Sequence, residues 1–353
     1  MPKKVANLLM LEVNSAKRSV VFLSLLILIP ITFGVLFGTF KQIVPKSAPS
    51  AVVSVGGNEE DVRFASAVVS LFSNVRIENE ISEAKLYREE LYFIVGVSEG
   101  ISKGAGNVTI YIDNAMSPVY ELSTYAVEII MYELTTHFSH VPKIYVKGFG
   151  TPVLPNQFFT PGIILLFAII TGLLIVPFTT RKDWLVYSRL TTIASPIHIV
   201  ISKMVFAFAI VLIQTILLLL TEYFFGLPLI KIDGTFLITL FITCVYLSLT
   251  GLLVSFLSRF SIAGQVLNVL LAGFLLVFSG LFYPVGFLPR LPVFGDILQT
   301  IPKFMPTYYS AILMRSFAIR EAPLAIFYDY VGIITITALV LFVMTVYVMG
   351  RYR

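Results

Sequence analysis

The run GTFLITLFITCVYLSLTGLLVSFLS, residues 234–258, contains no Asp, Glu, Lys or Arg. A helix rises about 1.5 Å per residue, so about 20 apolar residues span the roughly 30 Å hydrocarbon layer of a bilayer. This run is long enough to cross a membrane as one helix. The only cysteine of the chain, Cys244, lies inside it. The stretch therefore predicts a protein whose main solvent is lipid.

Composition extends this prediction to the whole chain. Hydrophobic residues make up 57% of the 353 residues and charged residues only 13%, whereas an ordinary soluble domain is about 25% charged. Five further apolar runs occur, at 19–40, 158–180, 197–221, 260–283 and 330–350. We predict an α-helical polytopic membrane protein with six transmembrane helices.

The basic residues predict how the helices are oriented. They fall on one side of the membrane if the N-terminus is cytoplasmic: Lys3, Lys4, Lys17, Arg18, Arg181, Lys182, Arg189, Arg259, Arg351 and Arg353. We therefore expect a plasma-membrane protein with both termini cytoplasmic and residues 41–157 extracellular. The basic residues flank the spans and form no stripe interleaved with aromatic residues, so we expect the lipid bilayer as a partner and no nucleic acid.

The segment 41–157 changes from long apolar runs to short β-branched and aromatic ones. Strands are predicted at 51–55, 92–97, 108–112 and 143–149, with helices at 59–72, at 82–91 and from residue 117 onward. The chain thus divides into 1–40 (an interfacial helix and the first span), 41–157 (an inserted extracellular α/β domain) and 158–353 (five further spans). Residues 5–18 can also be a disordered tail.

A third non-membrane segment, 284–328, is too apolar for a solvated loop and is interrupted by five prolines between Pro284 and Pro306. We predict an extracellular re-entrant or interfacial pair of short helices. The segment carries Arg290, Lys303, Arg315 and Arg320, which breaks the expected bias of basic residues toward the cytoplasm.

Few residues offer chemistry of their own. His137 and His140 share a helical face and can ligate a metal or form a solvated helix end; we predict no metal site and no catalytic residue. The sequon Asn107-Val108-Thr109 is chemically available for glycosylation if it lies outside. With one cysteine, no disulfide within the chain is possible.

Uncharged polar residues lie inside the predicted spans: Gln214, Gln265 and Asn268. They line a translocation path or bond neighbouring helices, and the sequence leaves both roles open. Ion-coupled carriers commonly place a charged residue at midspan. These spans carry none there, which argues against a secondary transporter, and Glu222 near a span end stays unassigned.

Two stretches carry a resemblance to a known family. RKDWLVYSRLTTIASPIHIVISK, residues 181–203, resembles the cytoplasmic segment of type-2 ABC transporter permeases, although that family's usual Gly-Thr is Tyr187-Ser188 here and a second acidic residue is missing. FSGLFYPVGFLP at 278–289, followed by IPKFMPTYYSAILMR at 301–315, resembles the family's link between its last two spans. Relatives with a large external insertion also show a motif like YIDNAMSPVY, residues 111–120.

The resemblance implies a cytoplasmic coupling loop at 181–198 that docks on a separate ATPase. The residues that it assigns to this contact are Arg181, Lys182, Asp183, Trp184, Tyr187, Arg189, Ser195 and Pro196. A plain interfacial loop with aromatic side chains at headgroup depth is the alternative. The chain has no GxxxxGK[ST] motif, so we expect no enzyme activity and no cofactor in this chain, with ATP and Mg²⁺ bound by the partner ATPase subunits.

The resemblance further implies a dimer with a second permease copy, as a homodimer or a heterodimer. We expect the permease subunit of an ATP-driven exporter of hydrophobic, drug-like or lipid-like substrates. The alternative is a membrane-anchored receptor or secretion-accessory protein that acts through its extracellular domain.

Overall fold

The computed structural model describes residues 49–71, 73–103, 105–115, 132, 143–184, 195–282, 285 and 297–351. The predicted interfacial helix at 5–18, the first span at 19–40 and the histidines at 137 and 140 lie outside these residues. So do Tyr187 and Arg189 of the predicted coupling loop.

A five-stranded sheet lies at the start of the described chain. Its strands are β1 (Pro49–Ser54), β2 (Asn74–Glu78), β3 (Phe93–Val97), β4 (Asn107–Asp113) and β5 (Lys143–Phe149). Their spatial order is β2-β1-β3-β4-β5, with every neighbouring pair parallel except the antiparallel pair β3 and β4. We call residues 49–115 and 143–149, as far as described, the sheet unit.

Four of the five strands coincide with the predicted runs. Strand β3 is buried along its whole length, as expected for an apolar run in the middle of a sheet. Strand β2, with the sequence NVRIE, was not predicted. It is an edge strand with Arg76 and Ile77 exposed, so it lacks the apolar alternation that marks a half-buried strand.

Two helices belong to the sheet unit, α1 (Glu59–Ser70) and α2 (Glu83–Tyr87). Asn58 caps α1 through its side chain, and Asp61 returns the bond to the backbone N–H of Asn58. Helix α2 ends earlier than predicted because Glu89 adopts a left-handed backbone with φ of 57°.

Long apolar helices form the rest of the described chain. They begin with α3 (Pro155–Ile170), which continues through a π-helical turn (Thr171–Ile175) into α4 (Val176–Trp184). Next come α5 (Pro196–Phe224), α6 (Gly234–Leu257) and α7 (Ile262–Phe278). The last is α10 (Tyr328–Gly350), which a short 3₁₀ turn (Leu324–Phe327) precedes.

Four of these segments are long and apolar enough to cross a membrane: Gln157–Arg181, Pro196–Phe224, Gly234–Leu257 and Leu324–Gly350. They match four of the predicted spans. Helix α7, at 17 residues, is shorter than the run predicted at 260–283. A tight turn separates it from α6, with Arg259 and Phe260 both at positive φ.

Short helices also occur where the re-entrant segment was predicted. The described part contains α8 (Ile297–Thr300), a 3₁₀ turn (Ile301–Phe304) and α9 (Pro306–Ala318). Pro302 and Pro306 sit at helix starts, where a missing N–H costs nothing. All but two of the residues of α9 are buried, which explains why this segment is too apolar for a loop.

Helix α6 is the centre of the helical bundle. The protein buries 67% of its apolar window, but only 17% of the windows in α5 and in the segment containing α10. Helix α6 packs against α10, α5 and α9, and its inward side chains belong to the main apolar core. In the described part of the chain, much of the outer face of α5 and of α10 is exposed.

Candidate functional site

The predicted coupling loop lies between two membrane-length helices. Arg181 is exposed in the last turn of α4, and the backbones of Lys182, Asp183 and Trp184 complete that helix. The described chain resumes at Ser195. The side chains of residues 182–184 and all of residues 185–194 lie outside the described part, so the predicted set of contact residues stays a prediction.

The far end of this loop has a defined geometry. Ser195 is the N-cap of α5 and Pro196 its first residue, a position where proline's fixed φ suits a helix start. The hydroxyl Oγ of Ser195 lies 2.6 Å from Nδ1 of His198 and makes no capping bond to the backbone. The Ser-Pro pair therefore sets where the next membrane helix begins.

The predicted polar residues of the spans gather around the π-helical turn. The hydroxyl of Thr171 donates to Oε1 of Gln214 across a long 3.4 Å. Nδ2 of Asn268 donates to the carbonyl of Gly251 at 3.2 Å and to Oγ of Ser255 at 3.1 Å. These bonds join α5 to the π turn and α7 to α6, which does not exclude that the same residues border a path.

A small cavity of about 30 Å³ lies beside the same turn. Its lining includes Gln265 and Asn268 from α7 and Leu173, Leu174, Pro177 and Phe178 from the span with the π turn. Among the described residues, Oδ1 of Asn268 is buried without a hydrogen-bond partner. A volume of this size suits one or two water molecules, whereas sites for drug-sized ligands measure about 300–1,000 Å³.

The π turn packs on α6 by close backbone contact. Pro177 has no N–H, so a carbonyl one turn earlier loses its helical donor. The carbonyl oxygen of Gly172 instead faces Gly251, where an added Cβ would lie 2.4 Å from it. A π turn inserted in an α-helix is frequent at functional sites, because it interrupts the regular hydrogen-bond ladder.

Among the described residues, a group of four buried charged side chains joins the sheet unit to α9. Arg315 of α9 donates from Nε to Oε1 of Glu89 at 2.9 Å and from Nη2 to Oε2 at 2.8 Å. Arg320, just beyond α9, donates from Nε to Oδ2 of Asp113 at 2.6 Å and from Nη2 to Glu89 at 3.3 Å. We call Glu89, Asp113, Arg315 and Arg320 the charge cluster.

The charge cluster is almost fully removed from solvent. Arg315 is 1% exposed, Asp113 3%, Glu89 4% and Arg320 7%. Two guanidiniums and two carboxylates cancel, so no net charge is buried. Removing one partner of a buried pair typically costs about 3–5 kcal/mol, because the other charge is left unpaired. The cluster thus makes separation of the sheet unit from α9 costly.

The two carboxyls titrate differently. Burial alone would raise the pKa of Glu89, but the Arg315 and Arg320 guanidiniums reverse this and hold it below its ordinary value. Burial raises the pKa of Asp113, and its single guanidinium partner, Arg320, does not fully offset that. Glu89 is therefore the anion on which the cluster depends most.

Further contacts surround the charge cluster. Nη1 of Arg315 donates to the carbonyl of Gly280 at 2.6 Å, and its guanidinium lies 5.5 Å from the ring centre of Phe158 in α3. The hydroxyl of Ser316 donates to the carbonyl of Tyr87. Four parts of the chain meet here: the sheet unit, the start of α3, the end of the α7 segment and α9.

A second, more exposed set of contacts lies at the edge of this joint. Arg88 pairs with Asp329 at the start of α10 and lies 4.6 Å from the ring centre of Tyr330. The hydroxyl of Tyr330 lies 3.3 Å from Oε1 of Glu90. The consecutive residues 87–90 of the sheet unit thus each contact α9, α10 or the residues that follow α9.

The sequence signalled part of this site. Arg315 and Arg320 stood out because they break the charge bias, and Asp113 lies in the YIDN motif. Glu89 was missed, because its partner Arg315 is 226 residues away and nothing local distinguishes it from its neighbours. The structure shows that the stretch ending in Arg315 and the motif containing Asp113 meet in one cluster.

Glu222 occupies a different buried position. It lies near the end of α5, 7% exposed, and accepts a hydrogen bond from the hydroxyl of Thr160 in α3. Its other oxygen, Oε2, has no hydrogen-bond partner among the described residues. This carboxyl ties α5 to α3 and has no cationic partner in the described part of the chain.

These features define an integral membrane protein, with several membrane-length helices and a folded sheet unit attached to them. Comparison with protein families finds a match of residues 134–318, just over half of the chain, to the ABC-2 type transporter family. The chain belongs to the ABC-2 type transporter family and is a permease component of an ABC transporter. Members of this family work with a cytoplasmic ABC ATPase.

The match covers α3 to α9 and so includes Arg315, while Glu89 and Asp113 precede it. The resemblance predicted from the sequence is therefore confirmed. No ATPase domain is found in this chain. No curated protein and no solved structure matches the chain significantly.

Proposed function

We propose that the protein exports hydrophobic, drug-like or lipid-like substrates, driven by ATPase subunits that dock on its 181–198 loop. The placement of this loop supports the proposal. It connects the segment Gln157–Arg181 to α5, both of membrane-crossing length, and therefore emerges at one membrane face with Arg181 exposed at its start. A loop held between two spans can pass ATPase movement directly to both.

The spans favour an uncharged substrate. Within the described membrane-length segments, charged residues lie in the first or last few turns, such as Arg181, Lys203 and Glu222. The middle of these segments offers amides and hydroxyls. A substrate without a full charge crosses such a path with little loss of solvation energy.

We assign Gln214, Gln265 and Asn268 to the polar side of that path. Gln265 and Asn268 line one cavity, and Gln214 contacts the adjoining π turn through Thr171. The cavity is too small for a drug-sized molecule, so the path must widen during transport. The π turn beside it is a suitable hinge because its hydrogen bonding is already interrupted.

The remaining features of the proposal concern the assembly. Two permease copies, identical or related, form the pathway, with the exposed faces of α5 or α10 available for contact. Both termini are cytoplasmic in the plasma membrane, residues 41–157 are extracellular, and ATP and Mg²⁺ bind the ATPase partner. Six spans result when the run at 19–40 and helix α7 cross as well.

Co-purification tests the docking. The permease is solubilised in detergent together with its ATPase, and the amount of ATPase retained is measured. Replacing Trp184 or Arg189 by alanine is expected to lower retention by about tenfold, the loss of one apolar or charged anchor at an interface. Arg351→Ala is the matched control, because Arg351 is another basic residue at a helix end and contacts Tyr347 of its own helix.

Membrane insertion of every variant is checked by its recovery in the membrane fraction. Full ATPase retention by both loop variants would place docking elsewhere. Complete absence of a retained ATPase in the parent protein would refute the proposed docking altogether.

A further inference from the structure

We propose that Glu89 and Asp113 are positioning residues for transport: through the charge cluster they fasten the sheet unit to α9, so that both move as one body. This inference rests on the proposed transport function and adds an element to it. It assigns the sheet unit the part of a lever that acts on the helical bundle from the side opposite the ATPase.

The first argument is the kind of contact. The bidentate pair between Glu89 and Arg315 fixes the orientation of both groups, and Arg320 links the two carboxylates. If the sheet unit moved relative to α9, these ion pairs would break while the charges were still buried, before water could solvate them. Such a joint resists separation but tolerates movement of the two parts together.

The second argument is the contrast with an exposed pair at the same place in the chain. Lys231 and Glu321 form a salt bridge next to Arg320, but their side chains are 55% and 62% exposed. Exposed pairs contribute little and exchange partners readily with water. Around the end of α9, the buried ion pairs of the described residues all join Arg315 or Arg320 to the sheet unit.

The third argument is the path from α9 to the centre of the bundle. The hydroxyl of Ser310 in α9 lies 3.0 Å from that of Thr243 and 3.0 Å from that of Tyr246, both in α6. Thr307 accepts a hydrogen bond from Ser279 at the end of α7. A displacement of the sheet unit is therefore passed through α9 to α6 and α7.

The fourth argument is the continuous apolar core. Phe158, at the start of α3, packs in the core of the sheet unit together with Val52, Val95 and Ile110. Tyr87 of the sheet unit packs in the core of the bundle. A side chain from each part thus packs in the interior of the other. The sheet unit cannot slide over the bundle without pulling these buried apolar side chains out of their cores.

A covalent link across the joint tests the inference. Arg88 and Asp329 face each other at its exposed edge, outside the charge cluster. The variant Arg88→Cys/Asp329→Cys is bridged with a short bifunctional thiol reagent; Cys244 is buried and does not compete. Bridging is expected to reach near completion in the permease alone, and its yield to stay unchanged when ATP and the ATPase are added.

The second readout is ATP hydrolysis by the permease–ATPase complex in lipid nanodiscs. If the two parts move together, bridging leaves the rate within about twofold of the unbridged variant, because a link between parts that keep their distance opposes no step of the cycle. A loss of about tenfold or more would show that the sheet unit must separate from α10 and the adjoining α9, and would overturn the inference. The single variant Arg88→Cys, treated alike, controls for the reagent.

The charge cluster is tested by Glu89→Gln in the same complex. Hydrolysis is measured well below each variant's unfolding midpoint, so that loss of folded protein does not enter. We expect a several-fold lower rate, recovered when the bridge at positions 88 and 329 is added to Glu89→Gln. An unchanged rate in unbridged Glu89→Gln would refute the positioning role.

If Glu89→Gln does not fold, the bridged Arg88→Cys/Asp329→Cys variant, which keeps Glu89, still tests whether the two parts move together. If the parent complex neither retains an ATPase nor hydrolyses ATP, the proposed function fails. The joint is then judged by the bridging yield in the permease alone, where a low yield would overturn it.

Discussion

At the scale of single residues, a buried charge is stabilising here only where several partners converge on it. Asp61 is fully buried at the third position of α1, and its carboxylate accepts from the backbone N–H groups of Asn58, Gly100 and Ser102 and from the Ser102 hydroxyl. Burial would raise the pKa of Asp61, but these donors lower it to about 2. One side chain thereby ties α1 to the turn that follows β3.

This geometry predicts a pH-dependent loss of stability in Asp61→Asn. The amide cannot accept all four bonds, so the variant is expected to unfold more easily by about 1–3 kcal/mol near neutral pH. Because the folded pKa is depressed below the ordinary 3.8, Asp61 contributes its stability above that value and loses it as pH falls toward 2. The difference in thermal midpoint between wild type and variant should therefore shrink over this window.

The measurement is thermal unfolding in detergent at several pH values. Glu60→Gln is the matched control, since Glu60 is the neighbouring acid of the same first turn and is exposed. A difference between wild type and Asp61→Asn that stays constant down to pH 2 would contradict the assignment.

At the scale of elements, the sequence predicted the helices and strands whose surroundings leave a clear pattern of apolar residues. Lipid imposes a length on apolar runs, and four spans were found within a few residues of their ends. Strands β1, β3, β4 and β5 were predicted from their β-branched and aromatic runs. Strand β2 did not, because an exposed edge strand is held by backbone bonds to β1 and needs no apolar side chains.

The candidate sites divide in the same way. The loop at 181–198 could be proposed because its motif is contiguous, and the polar residues of the spans because they stand out among apolar ones. The π turn and the charge cluster were not predicted, since each arises where distant segments meet. Gly172 and Gly251 are an example. Nothing in the neighbouring sequence requires glycine at either position, and only the close crossing of α6 and the π turn in the structure explains it.

That crossing predicts a sharp steric effect at Gly251. In Gly251→Ala the new Cβ would lie 2.4 Å from the Gly172 carbonyl oxygen and 2.9 Å from Cγ of Pro177. Backbone cannot move aside cheaply, so the helices must separate, at a cost of about 1–3 kcal/mol. The thermal midpoint in detergent is expected to fall.

Gly332→Ala is the control for this variant. Gly332 lies inside α10 with nothing within 4 Å of an added Cβ. Alanine there should leave stability unchanged or raise it by about 0.5–1 kcal/mol, the usual gain of replacing glycine within a helix. Equal midpoints for the two variants would mean that the π turn and α6 are not in close contact.

At the scale of the whole molecule, charged residues are unevenly distributed among the described segments. The exposed faces of α5 and α10 are apolar, the 181–198 segment begins with the exposed Arg181, and the buried ion pairs of the described residues lie where the sheet unit meets α9. Arg315 and Arg320, which depart from the charge bias in the predicted orientation, are paired with Glu89 and Asp113. Basic residues neutralised in this way carry little information about which side of the membrane they occupy.

The proposed orientation then depends on the remaining charges, and single-cysteine labelling in intact cells tests it. Asn107 is exposed at the first residue of β4, and Arg181 is exposed at the end of α4. A membrane-impermeant maleimide is expected to label Asn107→Cys in intact cells, and Arg181→Cys only after the cells are opened. The parent chain should stay unlabelled in both conditions, because Cys244 is buried in α6. The reverse pattern would invert the topology and place the 181–198 loop on the side without ATP, so this one experiment can also refute the docking proposal.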